Sequence, residues 1–187
     1  MAATRGRPRD PNIDVIVLDA TRRLLAEEGF AATTVQEVAR RSGVHPPAIY
    51  RRWPTRLALI EHAALGDFGE LRVRVTGNLR ADLRRFLLAY ESVYATPVFR
   101  AAMPGLLAHY QDTAAVDPAR WTPYSVQPLL ESILDAAPPG TVDPTIETDT
   151  VFNVVVGVVL ARAFVPPAGQ SDLDGTVDLL VRALRPA

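Results

Sequence analysis

Two residue types are missing from this chain altogether: it has no cysteine, and all twenty of its basic residues are arginine, so lysine is absent too. Without cysteine there is no disulfide framework, no thiolate metal site and no cysteine nucleophile. Histidine is scarce. His45, His62 and His109 have no second histidine one helical turn away, so no zinc site is expected. His109-Tyr110 beside Asp112 comes nearest to acid–base chemistry, and it reads better as a solvated or pocket-lining group. No GxSxG elbow, no phosphate-binding GxxxxGK[ST] loop and no GxGxxG after a strand is present. The sequence therefore offers no catalytic residue, no metal and no cofactor. Long apolar runs are also lacking: Val154–Leu160 is far shorter than the roughly 20 residues of a membrane span. The first residues are neither apolar enough nor long enough for a secretory signal. These absences point to a non-enzymatic protein of the cytoplasm, with no membrane partner.

What is present is enough apolar material for a core, 48% of 187 residues, in one domain or two small ones. The net charge of −1 hides an uneven distribution. Residues 1–56 hold ten arginines against six acids, a net +4, which leaves −5 for residues 57–187. A basic head on an acidic body suits a protein that displaces counterions from nucleic-acid phosphates. Arg5, Arg7 and Arg9 alternate with small or rigid residues in residues 1–9, a basic arm with two readings: a segment that follows the DNA backbone or enters the minor groove, or a solvated tail.

The stretch from Thr33 to Leu59 is the most specific in the chain. Thr34 has a hydroxyl that can cap a helix, and Glu37 stands three residues later in a capping-box pattern. Val35, Val38 and Ala39 make an apolar stripe, while Gln36, Glu37, Arg40 and Arg41 fall on the wet side. Gly43 sits where a left-handed residue would end the helix, and Val44 can plug the angle to the next one. Pro46 and Pro47 lack N–H groups that would be unpaired anyway in a first turn, so they begin a helix expected to reach Arg52. Ile49 and Trp53 point inward; Tyr50, Arg51 and Arg52 are left for the outside. Pro54 stops this helix and Thr55 can cap the next. Helix, short turn, helix is the arrangement that places a reading helix in the DNA major groove.

Here the sequence resembles the tetracycline-repressor-like (TetR) family of bacterial transcription regulators. The residues that carry the resemblance are Gly29-Phe30, Thr33-Thr34, Val38-Ala39, Gly43-Val44, Tyr50, Trp53, Pro54, Thr55 and Arg56, in fixed register across roughly residues 10–65. His45, Pro46 and Pro47 depart from the family's usual residues, and Trp53 replaces a commoner Phe. The resemblance implies an all-α protein with a helix-turn-helix DNA-binding domain at residues 10–56 and an effector-binding and dimerisation domain at residues 57–187. It implies that Thr34, Tyr50 and Arg56 touch the DNA backbone. The residues expected nearer base edges are His45, Ala48, Arg51 and Arg52. Thr33, Pro46, Pro47 and Thr55 complete the expected DNA-binding set.

Elsewhere the pattern is helical. Asp10-Pro11 opens a first helix with a buried stripe of Ile13, Ile16, Val17, Ala20 and Leu24, ended by Gly29. A fourth helix is expected from Arg56 towards Arg74, weakened by Gly66 and Gly69. Asn78 can cap a fifth, from Leu79 to Ala95. Thr96-Pro97 starts a sixth that Pro104-Gly105 should kink or split. A seventh should run from Ser125 to Ala136. Ile146–Val165 is apolar on almost every side and reads as a buried helix, with a buried strand as its rival. Leu173 to Leu184 closes the series.

Phe86, Tyr90, Tyr94, Phe99, Met103, Tyr110, Trp121 and Phe152 could line an apolar pocket, with His109 and the tyrosine hydroxyls to orient a ligand. Taken singly, each also reads as core. The resemblance implies a small-molecule effector at such a pocket. It also implies a homodimer through the last two helices, where Gly157, Leu160, Val177, Leu180 and Leu184 are the expected contacts; Gly157 reads equally as a packing glycine. The expectation is a repressor that leaves a palindromic double-stranded operator when a small, mainly apolar effector binds. A helical small-molecule enzyme and a ligand-independent DNA-binding protein are the alternatives.

Overall fold

A computed structural model describes residues 11–112, 124–165 and 172–186. Among them lie nine helices and no strand: α1 (Pro11–Ala32), α2 (Val35–Ser42), α3 (Pro46–Tyr50), α4 (Arg56–Gly69), α5 (Leu79–Tyr94), α6 (Pro97–Asp112), α7 (Gln127–Asp135), α8 (Thr148–Phe164) and α9 (Leu173–Ala183). The chain is all-α, as its periodicities require, and the apolar segment expected at Ile146–Val165 forms a helix, Thr148–Phe164, rather than a strand.

The helix ends follow local chemistry closely. Gly29 breaks the helical path of α1 with φ 82° and ψ −177°. The Thr34 hydroxyl accepts from the Glu37 N–H at 3.1 Å. The reciprocal half of the capping box does not form, because the Glu37 carboxylate is drawn to Arg40 and Arg41 while the Thr34 N–H donates to the Ala32 carbonyl. Gly43 ends α2 in the left-handed region, φ 70°, and returns its N–H to the Ala39 carbonyl. Several expected boundaries move; α1, for one, runs past the kink at Gly29 to Ala32. α3 stops at Tyr50, two residues before Arg52. α4 stops at Gly69, so that glycine is a terminus and not an interior weak point. α6 runs unbroken through Pro104.

The described residues form two compact units. The first holds residues 11–64 and 101–112; the second holds 65–100, 124–165 and 172–186. In the first, Val17, Leu24, Leu25, Val35, Val38, Ile49, Trp53, Leu59 and Ile60 make the core beneath α2 and α3. In the second, α5 is central and packs against α7, α8 and α9. Val151, Val155 and Val159, one turn apart, are the buried line of α8; Val177 and Leu180 do the same for α9. Arg80 and Arg84 reach across from α5 to Asp178 and Asp174 of α9, each at 2.7 Å. Those pairs are exposed and stabilise little. A buried carboxylate, Asp82, organises the entry to α5. It accepts the N–H groups of Thr76 and Gly77, the Thr76 hydroxyl and the Arg85 guanidinium. Burial alone would raise its pKa, and those donors outweigh burial and lower it.

Candidate nucleic-acid interface

The α2–turn–α3 unit presents a small outward face. α3 buries Ile49, and Trp53 follows it into the core, which leaves His45, Pro47, Tyr50 and Arg51 exposed. Pro46 and Ala48 are half-buried along the same helix. His45 occupies the N-cap of α3 with extended backbone and makes no capping hydrogen bond, so its ring is available. On α2, Gln36 and Arg40 are exposed. Gln36 is absent from the expected set, although its place on the wet side of α2 was the signal. Thr34 spends a lone pair on the Glu37 N–H and keeps its hydroxyl proton to offer to a phosphate. Thr55 likewise accepts the Ala58 N–H at 3.0 Å at the start of α4.

Several expected contacts sit elsewhere, and the reason is the same each time: a partner within the unit has claimed them. Thr33 is 1% exposed, and its hydroxyl donates to the Gly29 carbonyl at 2.8 Å. That is a structural bond behind the interface, so Thr33 is not a surface contact. The Arg52 side chain is 9% exposed and is ion-paired with Asp14 of α1, with a further bond to the Ala48 carbonyl at 3.3 Å. Its expected place near a base edge is therefore corrected. Arg56 turns back into the unit, with Nε on the Thr33 carbonyl at 2.6 Å, a second bond to the Phe30 carbonyl, and its carbon 4.4 Å above the Phe30 ring. Burial lowers its pKa.

The basic character of this region is weaker than composition implies. Arg41 reaches Glu27, Glu28 and Glu37. Arg40 shares Glu37, and its hydrogen bond, ahead of that from Arg41, holds the Glu37 carboxyl down to about 2. Arg23 pairs with Asp19, and Arg22 donates to the Ala63 carbonyl. Arg51 remains as an exposed guanidinium free of such a partner among the described residues of α2, α3 and their turn. The arm with Arg5, Arg7 and Arg9 lies outside the described residues.

In the second unit the aromatic side chains meet. Phe68, from the end of α4, is edge-on to Tyr90, Tyr94 and Phe99 at 5.3, 5.2 and 5.8 Å. Phe86 stacks on Tyr90 at 5.6 Å, and Phe152 and Phe164 of α8 border the group. Tyr94 donates to Tyr90 at 2.9 Å, and burial pushes both phenols up. Phe68 was missed because it stands between Asp67 and Gly69, in what reads as a weak stretch of helix. Met103, His109 and Tyr110 belong to the other unit: Met103 is buried, His109 is exposed, and Tyr110 donates to the buried Glu61. Trp121 lies outside the described residues.

The expected dimer contacts on α9 also need correction. Val177, Leu180 and Leu184 are buried within the protomer, Val177 completely, because the amphipathic stripe of α9 faces α5. The outer side carries Leu179, 61% exposed; Val154 on α8 is 49% exposed. Gly157 is exposed, with open space where a Cβ would stand, and Leu160 is half-buried. Among the described residues no cluster of three metal-ligating side chains occurs, and no helix is long and apolar enough to cross a membrane.

Residues 17–63 match the family model described as bacterial regulatory proteins, tetR family, and residues 73–182 match the tetracyclin repressor-like C-terminal domain. The HTH-type transcriptional regulator YdeS of Bacillus subtilis is 28% identical over 195 residues, covering 99% of this chain and 94% of that protein. Rv1556 of Mycobacterium tuberculosis, another HTH-type transcriptional regulator, is 26% identical over 92% of this chain and 89% of its own length. Among solved structures, a tetR family transcription regulator from a Shewanella species superposes with a TM-score of 0.62 at 18% identity, covering 94% of this chain and 99% of the other. BioQ bound to its double-stranded DNA operator gives 0.59 at 17% identity, covering 95% and 98%.

Proposed function

Because this chain belongs to the TetR family of bacterial regulatory proteins, we propose that it works as a homodimeric repressor, held on a palindromic operator until a small, mainly apolar effector binds. It is a DNA-binding transcriptional regulator and not an enzyme. The observation that carries the finer reading is the exposed row His45, Pro47, Tyr50 and Arg51 on an α3 whose other face is locked into the core. Such a helix has its directional groups free and its position set, which is what base reading in the major groove requires. BioQ, a neighbour in fold, has been seen with its operator, which supports the same use of this unit. The arm of residues 1–9 adds contacts to the DNA backbone or minor groove, and the protein acts where bacterial DNA is, in the cytoplasm.

The effector is held by the aromatic group of the second unit. Phe68, Phe86, Phe99 and Phe152 supply apolar and ring-face contact. The Tyr94-to-Tyr90 bond leaves the proton of Tyr90 for an acceptor on the ligand. The dimer forms through the outer sides of α8 and α9, around Val154, Gly157 and Leu179. Two subunits then read grooves about 34–36 Å apart, and an effector that prefers the other spacing releases the DNA by its differential affinity. Selection of duplexes from a randomised pool, followed by footprinting, tests the reading. A palindromic site protected over two half-sites and lost on adding an apolar ligand supports it; protection without any palindrome contradicts it.

A further inference from the structure

We infer that Arg56 serves DNA binding as a positioning residue and not as a phosphate contact: it clamps the Phe30 ring against Gly105 of α6 and so sets the backbone that leads into α2. The inference rests on the reading that the α2–α3 unit grips an operator.

The clamp has three parts, all within the first unit. Just before Phe30, the positive φ of Gly29 kinks α1, so the straight run of the helix does not extend into this last turn. In front, the Arg56 guanidinium lies over the Phe30 ring, 4.4 Å from its centre, and donates to the carbonyls of Phe30 and Thr33. The Phe30 carbonyl also accepts the Thr33 N–H at 3.2 Å, so one guanidinium ties both ends of the turn that precedes the Thr34 cap. On the other side, the ring occupies the space a side chain at position 105 would take. A Cβ built on Gly105 overlaps three atoms of the Phe30 ring. α6 is in turn attached to α4 by the Tyr110 hydroxyl bond to the buried Glu61. This explains why residues 101–112 of α6 share a unit with the DNA-reading helices. Gly105 is thus a bare stretch of α6 backbone that serves as a wall, Phe30 is the wedge, and Arg56 is the closing bar.

The chemistry asks for arginine in particular. A planar fork can donate to two carbonyls while its face rests on an aromatic ring; an ammonium cannot do all three. A phosphate contact, by contrast, would be served by either cation.

The test uses the full chain and a duplex that the wild type selects from a randomised pool. Affinity is measured from low to high salt and normalised to active protein by stoichiometric titration. Arg56→Lys and Arg56→Ala should each bind about tenfold more weakly, near 1.4 kcal/mol, with the dependence of affinity on salt unchanged. Wild-type affinity in Arg56→Lys, or a salt slope smaller by about two in Arg56→Ala, one contact from each subunit, would overturn the inference. Gly105→Ala should also weaken binding about tenfold in the wild-type background. It should cost little further when Phe30 has already been changed to Leu, since the wedge is gone. An equal cost of Gly105→Ala in both backgrounds would count against the clamp. Should the wild type select no sequence at all, the operator reading itself fails and takes this inference with it.

Discussion

The partners of individual arginines decide their roles. Arg51 and Arg52 are adjacent, yet Arg51 stands in solvent while Arg52 is held by Asp14 across a separation of 38 residues. Arg51→Ala should therefore lower operator affinity by about tenfold or more, the 1–3 kcal/mol of a base-directed pair, with an unchanged melting temperature. Arg52→Ala should do the reverse at first order, lowering the melting temperature by stranding Asp14 beside a lost partner. Parallel measurement of affinity and thermal unfolding in the two variants checks the contrast, and equal melting temperatures would contradict it. His62 offers a second test at this scale. Its Nδ1 accepts the indole N–H of Trp53 at 3.0 Å, so that nitrogen must be unprotonated. Burial, and then the charge of Arg22, lower its pKa below the ordinary value of about 6.5. With the folded pKa below the unfolded one, the unfolded chain binds the proton first. Stability is then constant above the unfolded value and falls as pH drops through the window beneath it. The melting temperature of the wild type relative to His62→Phe should hold steady above about pH 6.5 and decline as the pH drops below it. A difference that stays constant below that pH would refute the assignment.

At the scale of helices, α9 separates core from interface with neighbouring residues. Val177 is fully buried and Leu179, two positions on, is mostly exposed. A helix turns about 100° per residue, so these two side chains lie on nearly opposite sides. Val177→Arg should leave little folded protein, because an unpaired charge in the core of the second unit has no hydrogen-bonding alternative. Leu179→Arg should fold with a far-ultraviolet spectrum like the wild type's and dissociate to monomers. Light scattering on the two variants reads the outcome; a Leu179→Arg protein that stays dimeric would remove α9 from the proposed interface. The same logic governs α8. Its apolar surface on nearly all sides is divided between a buried line of valines and an outer Val154, and that outer residue needs cover that the protomer does not supply among the described residues.

For the molecule as a whole, the proposed repressor brings two basic heads to one DNA site on two acidic bodies. A dimer that engages phosphate mainly through exposed groups and the arm should bind with a steep dependence on salt. Deleting residues 2–9 should flatten that slope by removing Arg5, Arg7 and Arg9 from each subunit. An unchanged slope after deletion would identify the arm as a solvated tail. The ion pairs of Arg41 and Arg52 sharpen this prediction, since their charges are matched by carboxylates within the unit.

Much of the DNA-binding unit was legible because its signals are local. A hydroxyl at Thr34, a glycine at Gly43 and two prolines opening α3 act on backbone groups within one turn, and each does its work with no help from distant residues. Helical periodicity likewise revealed that α9 has a buried stripe. Periodicity does not say what covers a stripe, however, and the fold spent this one on α5 inside the protomer. The roles of the arginines were beyond local reading for the same reason. Asp14, Glu27 and Phe30 come near Arg52, Arg41 and Arg56, and Gly105 comes near the Phe30 ring, only after the helices pack, and a charge or a ring acts on what is close in space. The amino-acid sequence by itself determined where α2 starts and stops and where α3 starts. The tertiary structure alone decided which cations of this unit face outward, because that choice depends on partners tens of residues away.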